Sequence, residues 1–330
     1  MTGVPAMLQI EGLTVRLPVD GRMQEVLSGI DLSIAAGETV GLVGESGSGK
    51  SMTAKAIDRI LPRGASVDGS ILFDGRTFGM ETDDLRAFRT QVAMIFQDPR
   101  AHINPVRRVG DFMTEAVVAH KMFTRAQAEE RSVDLLAAVG IDDGGRRLRQ
   151  YPHQMSGGML QRIMIAAALL TEPRLLLADE PTTALDVTTQ SEVMAILGEL
   201  RAARGMSMLF ITHDLELAAA VCDRTAVMYA GQIVEVCSST MLHDGAQHPY
   251  TVALAAARPR IDATSARLPA IAGRPRSAFE APIGECAFAD RCVHAADVCR
   301  TVRPRLELVG HGMVRCARVD ELELHPGVVA

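Results

Sequence analysis

The chain has 330 residues, 48 % of them hydrophobic and 22 % charged, which fits a globular protein with one large domain plus an appendage. Its formal net charge of −6, with no long basic run, argues against a nucleic-acid surface, which needs clustered Lys and Arg. The longest apolar run, IMIAAALL at 163–170, is far short of the roughly 20 apolar residues a membrane-spanning helix requires. The opening MTGVPAMLQIEGLTV has no basic region followed by a long apolar core, so no secretory signal is expected. A cytoplasmic location follows, and disulfides are rarely structural there.

In chain order, LQIEGLTVRL (8–17) alternates apolar and polar residues, the pattern of a half-buried antiparallel strand. Aliphatic runs at 39–44, 92–96, 174–179, 207–212 and 226–230 mostly lack alternation, as strands of a parallel sheet covered on both faces do. Helical patterns fall at 50–60, 125–138, 157–170, 187–203 and 214–221, so the fold class is α/β. Between 98 and 156 the text turns helical, polar and Arg-rich, an insertion into the α/β core. After HPYTVALAAA (248–257) a Pro-, Gly- and Arg-rich segment reads as a linker, and a cysteine-rich tail follows it.

GESGSGKS at 44–51 places a G-x-x-x-x-G-K-[ST] loop between an apolar strand and a helix. Gly44, Gly47 and Gly49 let the backbone curl around Glu45, Ser46 and Ser48, so that successive N–H groups point inward at phosphate oxygens. In such a loop Lys50 reaches the β- and γ-phosphates and the Ser51 hydroxyl ligates Mg²⁺. LLLADEP (175–181) ends an apolar strand in two acids: Asp179, placed to hold Mg²⁺, and Glu180, placed to polarise an attacking water.

HQMSGGMLQR (153–162) lies between these motifs and resembles the signature sequence of ABC-transporter ATPases. IFQDP (95–99) resembles the Q-loop of that family, TALD (183–186) its D-loop and ITHD (211–214) its switch histidine. The resemblance implies an ABC-type P-loop ATPase core with an antiparallel β subdomain over 1–257, a helical insertion at about 98–165, and a linker with a Cys-rich extension over 258–330. It implies that Gln97 joins the Mg²⁺ shell, that His213 contacts the γ-phosphate, and that Asp186 communicates across a dimer. Ser156, Gly157 and Gly158 would cap ATP bound by a partner subunit. One loop and one signature per chain make two half-sites, so a second ATPase subunit, identical or a sister chain, is required. Met155 and Met159 depart from the commonest signature, and Leu17 stands where the family usually stacks an aromatic residue on adenine.

No sustained heptad run or second cassette is present, which disfavours a soluble ABC ATPase acting on nucleic acid or ribosomes; no nucleic-acid partner is expected. The segment 97–117 and the tail, HPYT followed by a Cys-rich run, are similar to dipeptide and oligopeptide importer ATPases. A nickel or other small-solute importer is the alternative within the family. The expected partners are transmembrane permease subunits, docking near Ala101–Val109, and an extracytoplasmic solute-binding protein. The chain would then sit at the cytoplasmic face of the inner, or plasma, membrane.

The tail holds Cys286, Cys292, Cys299 and Cys316, spaced C-x₅-C-x₆-C-x₁₆-C. These gaps exceed those of ordinary zinc sites and match no common ferredoxin spacing, so spacing leaves a metal centre, packed reduced thiols and disulfides all open. The resemblance to peptide importers favours a structural 4Fe-4S cluster over Zn²⁺.

Overall fold

The structure is a computed structural model that describes residues 6–78, 82–182, 185–257, 270–282, 284–322 and 324. Thr183 and Ala184 of the TALD motif and the linker at 258–269 lie outside the described residues. The chain runs β1 (Ala6–Val19), β2 (Arg22–Ala35), β3 (Thr39–Val43), α1 (Lys50–Ile57), β4 (Ser66–Phe73) and β5 (Arg76–Thr77). There follow α2 (Thr82–Arg89), β6 (Val92–Ile95), α3 (Pro99–His102), α4 (Val109–Ala119), α5 (Arg125–Ala138) and α6 (Gly144–Arg147). Next come α7 (Gly157–Leu170), β7 (Leu175–Asp179), α8 (Val187–Arg204), β8 (Ser207–Thr212) and α9 (Leu215–Val221). The chain closes with β9 (Arg224–Tyr229), β10 (Gln232–Ser238), α10 (Pro249–Ala256), α11 (Asp297–Thr301), β11 (Glu307–Val309) and β12 (Gly312–Val314).

These elements divide into two compact units. The first contains Leu72–Ile211 with Ile34–Glu38. Its β6, β7 and β8 pair in parallel, with Leu175 opposite both Val92 and Ser207. Every residue of β7 and β8 is buried, which explains their unbroken aliphatic character. The inserted helices α4, α5 and α7 pack on one another, burying Met113, Val117, Leu135, Leu136, Leu160 and Ile163. Helix α5 begins in a capping box: Thr124 Oγ1 accepts from the Gln127 N–H at 3.3 Å, and Gln127 Oε1 accepts from the Thr124 N–H at 3.0 Å.

The second unit contains Leu8–Ser33, Thr39–Ile71 and the chain from Thr212 onward. Strand β9 pairs in parallel with β3 and antiparallel with β10. The tail extends this sheet, for β12 pairs with β10 (Glu235 opposite Val314) and β11 pairs with β12. A second sheet has the order β2-β1-β4, and burial alternates along β1 as its sequence predicts. Strands β2, β4 and β10 escape the reading of the sequence. In β2, Gly29 at φ +59° breaks the alternation that would have marked it. Among the described residues no helix is long and apolar enough to cross a membrane.

Candidate functional site

The phosphate loop is shaped by its glycines and held by its outward carbonyls. Gly44, Gly47 and Gly49 all have positive φ, and a Cβ on Gly44 would lie 2.1 Å from the Met228 carbonyl oxygen, a clash no rearrangement of side chains relieves. A nest of inward N–H groups leaves its C=O groups pointing away, and these need partners. Lys50 Nζ donates to the Gly44 and Glu45 carbonyls at 2.8 and 2.9 Å. The Gly231 N–H donates to the Ser48 carbonyl at 2.8 Å, and the Ala278 N–H to that of Gly47 at 2.9 Å. The buried Ser48 Oγ has no hydrogen-bond partner among the described residues. A loop so satisfied on its outer side, with Lys50 buried and Ser51 in the first turn of α1, fits a polyphosphate anion.

Glu45 makes a different contact from the one its place in the loop implies. Its carboxylate meets Arg291 of the tail, with Nη1 donating to Oε2 at 2.7 Å and Nη2 to Oε1 at 3.2 Å. Its N–H donates to the Tyr250 hydroxyl at 3.0 Å.

In the first unit, Asp179 ends β7 and is 4 % exposed. Glu180 follows in the left-handed region (φ 46°), its N–H donating to the Ile211 carbonyl at 3.0 Å. That conformation is costly for a residue with a Cβ, and strain of this kind gathers at functional positions. Gln97 Nε2 donates to Glu180 Oε2 at 3.1 Å, so the structure brings together the Q-loop glutamine and the acid placed to act on water. The carboxylate oxygens of Asp179 and, in the other unit, the hydroxyl oxygen of Ser51 are each of the kind that suits Mg²⁺.

The signature begins α7 as a capped helix: Ser156 Oγ accepts from the Met159 N–H at 3.2 Å. Gly157 and Gly158 form its first turn, and a Cβ on Gly158 would meet Leu185 at 3.3 Å. Ser156, Gly158, Met159, Arg162 and Asp186 line a cavity of about 460 Å³. Asp186 N-caps α8, accepting from the Thr189 N–H at 3.0 Å and the Thr189 hydroxyl at 2.8 Å, bonds that hold its carboxyl below the usual range. In the second unit His213 is exposed, just ahead of Asp214, which caps α9 through the Glu216 and Leu217 N–H groups. Leu17 is 8 % exposed on the buried side of β1, so it has little surface to offer a nucleotide base.

The tail is anchored by the HPY segment, which the sequence marked only as a resemblance. His248 caps α10, its Nδ1 accepting from the Tyr250 N–H at 3.1 Å, so the ring must be neutral at that nitrogen. Burial pushes its pKa down to about 3. Glu235 of β10, fully buried, accepts from the Gln247 and His248 N–H groups at 2.7 and 3.0 Å, and burial raises its pKa. Tyr229, Tyr250 and Phe288 pack in tilted and edge-to-face contacts with centroids 4.7–5.3 Å apart.

None of the six cysteines forms a disulfide, which removes that reading. The tail folds two of its four close together, with the Cys286 N–H donating to the Cys299 carbonyl at 2.9 Å. Burial pushes the Cys286 and Cys292 thiols up to about 11 and raises that of Cys316. Among the described residues no group of three or more His, Cys, Asp or Glu is arranged to hold a metal ion. The 4Fe-4S and Zn²⁺ expectations therefore gain no support from this geometry.

Comparison with known proteins agrees with the chemistry of the loop and the origin of the tail. Residues 27–183 match the family model of the ABC transporter, and residues 234–299 that of the oligopeptide/dipeptide transporter C-terminal region. Oligopeptide transport ATP-binding protein OppD of Escherichia coli is 40 % identical over 320 residues, 96 % of this chain and 95 % of that protein. Dipeptide transport ATP-binding protein DppD of Bacillus subtilis is 42 % identical over 301 residues, 90 % of each chain. Among solved structures, the dimeric post-hydrolysis cassette MJ0796 bound to ADP and Pi has a TM-score of 0.64 at 25 % identity, covering 71 % of this chain and 99 % of that one. CbiO1 of Clostridium perfringens has a TM-score of 0.61 at 27 % identity over 72 % of this chain and 90 % of its own.

Proposed function

The chain belongs to the ATP-binding subunits of ABC transporters, and from that premise we propose that it hydrolyses ATP to drive import of di- and oligopeptides. The hydrogen bond between Gln97 and Glu180, beside a strand end carrying the buried Asp179, supports the hydrolytic part most directly. The match of residues 234–299 to the peptide-transporter C-terminal region supports the solute class. Permease subunits, a second ATPase subunit and a solute-binding protein complete the assembly, with this chain at the cytoplasmic face of the membrane.

In this reading the N–H groups of 47–51 and Lys50 bind the triphosphate, while Ser51 and Asp179 would hold Mg²⁺, which would neutralise charge on the transferred phosphoryl group. Glu180, steadied by Gln97, orients the attacking water and accepts its proton. His213 contacts the γ-phosphate. Ser156, Gly157 and Gly158 present a helix N-terminus to the nucleotide of the partner subunit, and closure of the pair moves the permeases.

Glu180→Gln tests the assignment. The variant is expected to bind ATP and to dimerise with it, while turnover falls by roughly 100-fold or more. Normal turnover would remove Glu180 from catalysis. Peptide uptake that stops with the same substitution in the whole transporter would tie hydrolysis to transport. The ligand of the tail has its own measurement: iron, acid-labile sulfide and zinc in anaerobically purified chain. About four irons and four sulfides, lost when all four cysteines become serine, would establish a cluster around which the thiols converge. A metal-free tail would leave packing as the role of those cysteines.

A further inference from the structure

We infer that the C-terminal extension is a strap that positions the phosphate loop, with Arg291 as the positioning residue that keeps the negative charge of Glu45 away from bound nucleotide. The inference rests on the nucleotide-binding reading of this loop and adds a residue far from it in sequence.

Two observations carry it. The first is the company Arg291 keeps. Its side chain is 4 % exposed, and Glu45, 23 % exposed, is its only carboxylate partner among the described residues. The guanidinium holds that carboxylate through two nitrogens, its Nε donates to the Ala272 carbonyl at 2.9 Å, and it lies 5.8 Å from the Tyr229 ring centroid and 5.9 Å from that of Phe288. A buried arginine is tolerated only when its charge and donors are met, and a two-pronged carboxylate contact meets both.

The second observation is that the same segment, together with Tyr250 of α10 just before it, closes the loop's backbone. The Ala278 N–H takes the Gly47 carbonyl at 2.9 Å, the Tyr250 hydroxyl takes the Glu45 N–H at 3.0 Å, and the Arg276 N–H donates to the Tyr229 hydroxyl at 3.2 Å. The first two bonds turn groups of the loop outward, and the third ties the segment to β9. The Ser48 N–H turns back to the Glu45 carbonyl at 3.3 Å. The Glu45 N–H is already engaged. Glu45 would otherwise put a carboxylate within the loop that must bind a polyanion, where like charges repel.

This arrangement predicts opposite signs for its two halves, whereas a pair that served only to hold the fold would give the same sign for both. In the full-length chain, Arg291→Met frees the Glu45 charge and is expected to weaken binding of a fluorescent ATP analogue at least tenfold, the loss shrinking as ionic strength rises. Glu45→Gln removes the charge and keeps one acceptor for Arg291, so binding is expected to stay within threefold of wild type or tighten. The double variant is expected to recover most of what Arg291→Met loses. In turnover, Arg291→Met is expected to raise KM for ATP well beyond its effect on kcat.

Equal weakening by both single substitutions, or no change with Arg291→Met in a chain whose thermal unfolding is normal, would overturn the inference. If Arg291→Met does not fold, Glu45→Gln alone decides, since a tenfold loss there contradicts the charge argument. Wild-type chain that fails to bind the analogue would instead sink the nucleotide reading of the loop, a distinct outcome.

Discussion

The phosphate loop and the cysteine tail are both short, ligand-suggesting stretches, yet the structure treats them differently. The loop's curl comes from its own backbone, with three glycines at positive φ and Lys50 bonded to the Gly44 and Glu45 carbonyls, and distant Gly231 and Ala278 hold it from outside. The tail gathers its thiols near one another and burial raises the pKa of three of them, but among the described residues they do not form a group arranged to hold a metal ion. Backbone amides serve as ligands as soon as the chain takes the right dihedrals, whereas thiols must also be brought to a common centre and deprotonated.

Three substitutions test how far this contrast holds. The largest effect is expected from Gly44→Ala, because the added Cβ meets a backbone oxygen of β9 at 2.1 Å. A shift of the loop by an ångström is enough for a loss of roughly 100-fold in ATPase activity. Retained activity would mean that the loop is not held as rigidly as its contacts indicate.

On the tail's side, His248→Asn probes the anchor. His248 stays neutral in the fold down to about pH 3, while in the unfolded chain it takes a proton near pH 6.5. Its contribution to stability is therefore full above about pH 6.5 and is lost as pH falls toward 3. Glu235, whose pKa is raised, acts in the opposite sense, its penalty growing as pH rises above its unfolded value. Asparagine can cap without titrating. Between pH 6.5 and 4.5 the wild type is expected to lose on the order of 2 kcal/mol more stability than the variant, read by denaturant unfolding. Parallel pH profiles would show that His248 is not the group that titrates.

The smallest effect is expected from Asp186→Ala, which removes the cap of α8 and lowers stability slightly. A loss of ATPase activity greater than that destabilisation accounts for would show that Asp186 also acts between subunits.

Much of this was legible in the sequence. The helices at 125–138 and 157–170 begin and end as read, because a polar cap precedes each and apolar spacing runs through it. The buried parallel strands announced themselves by aliphatic runs. Where alternation was interrupted, as at Gly29, or where strands were short and late, as in β11 and β12, local pattern carried too little information. Leu17 stands where the family usually stacks an aromatic residue on adenine, but which side of β1 is buried depends on what packs there, and Leu17 is 8 % exposed.

By itself the sequence determined the chemistry of the loop, since glycine spacing, Lys50 and Ser51 set its curl and its ligand groups through local backbone geometry. It determined the capped start of the signature helix for the same reason. Only the tertiary structure decided that Arg291 would cross 246 positions to reach Glu45 and that β12 would extend the sheet beside β10. A buried charge is tolerated only beside its counter-charge, and which residue supplies it depends on how the chain returns to the same place.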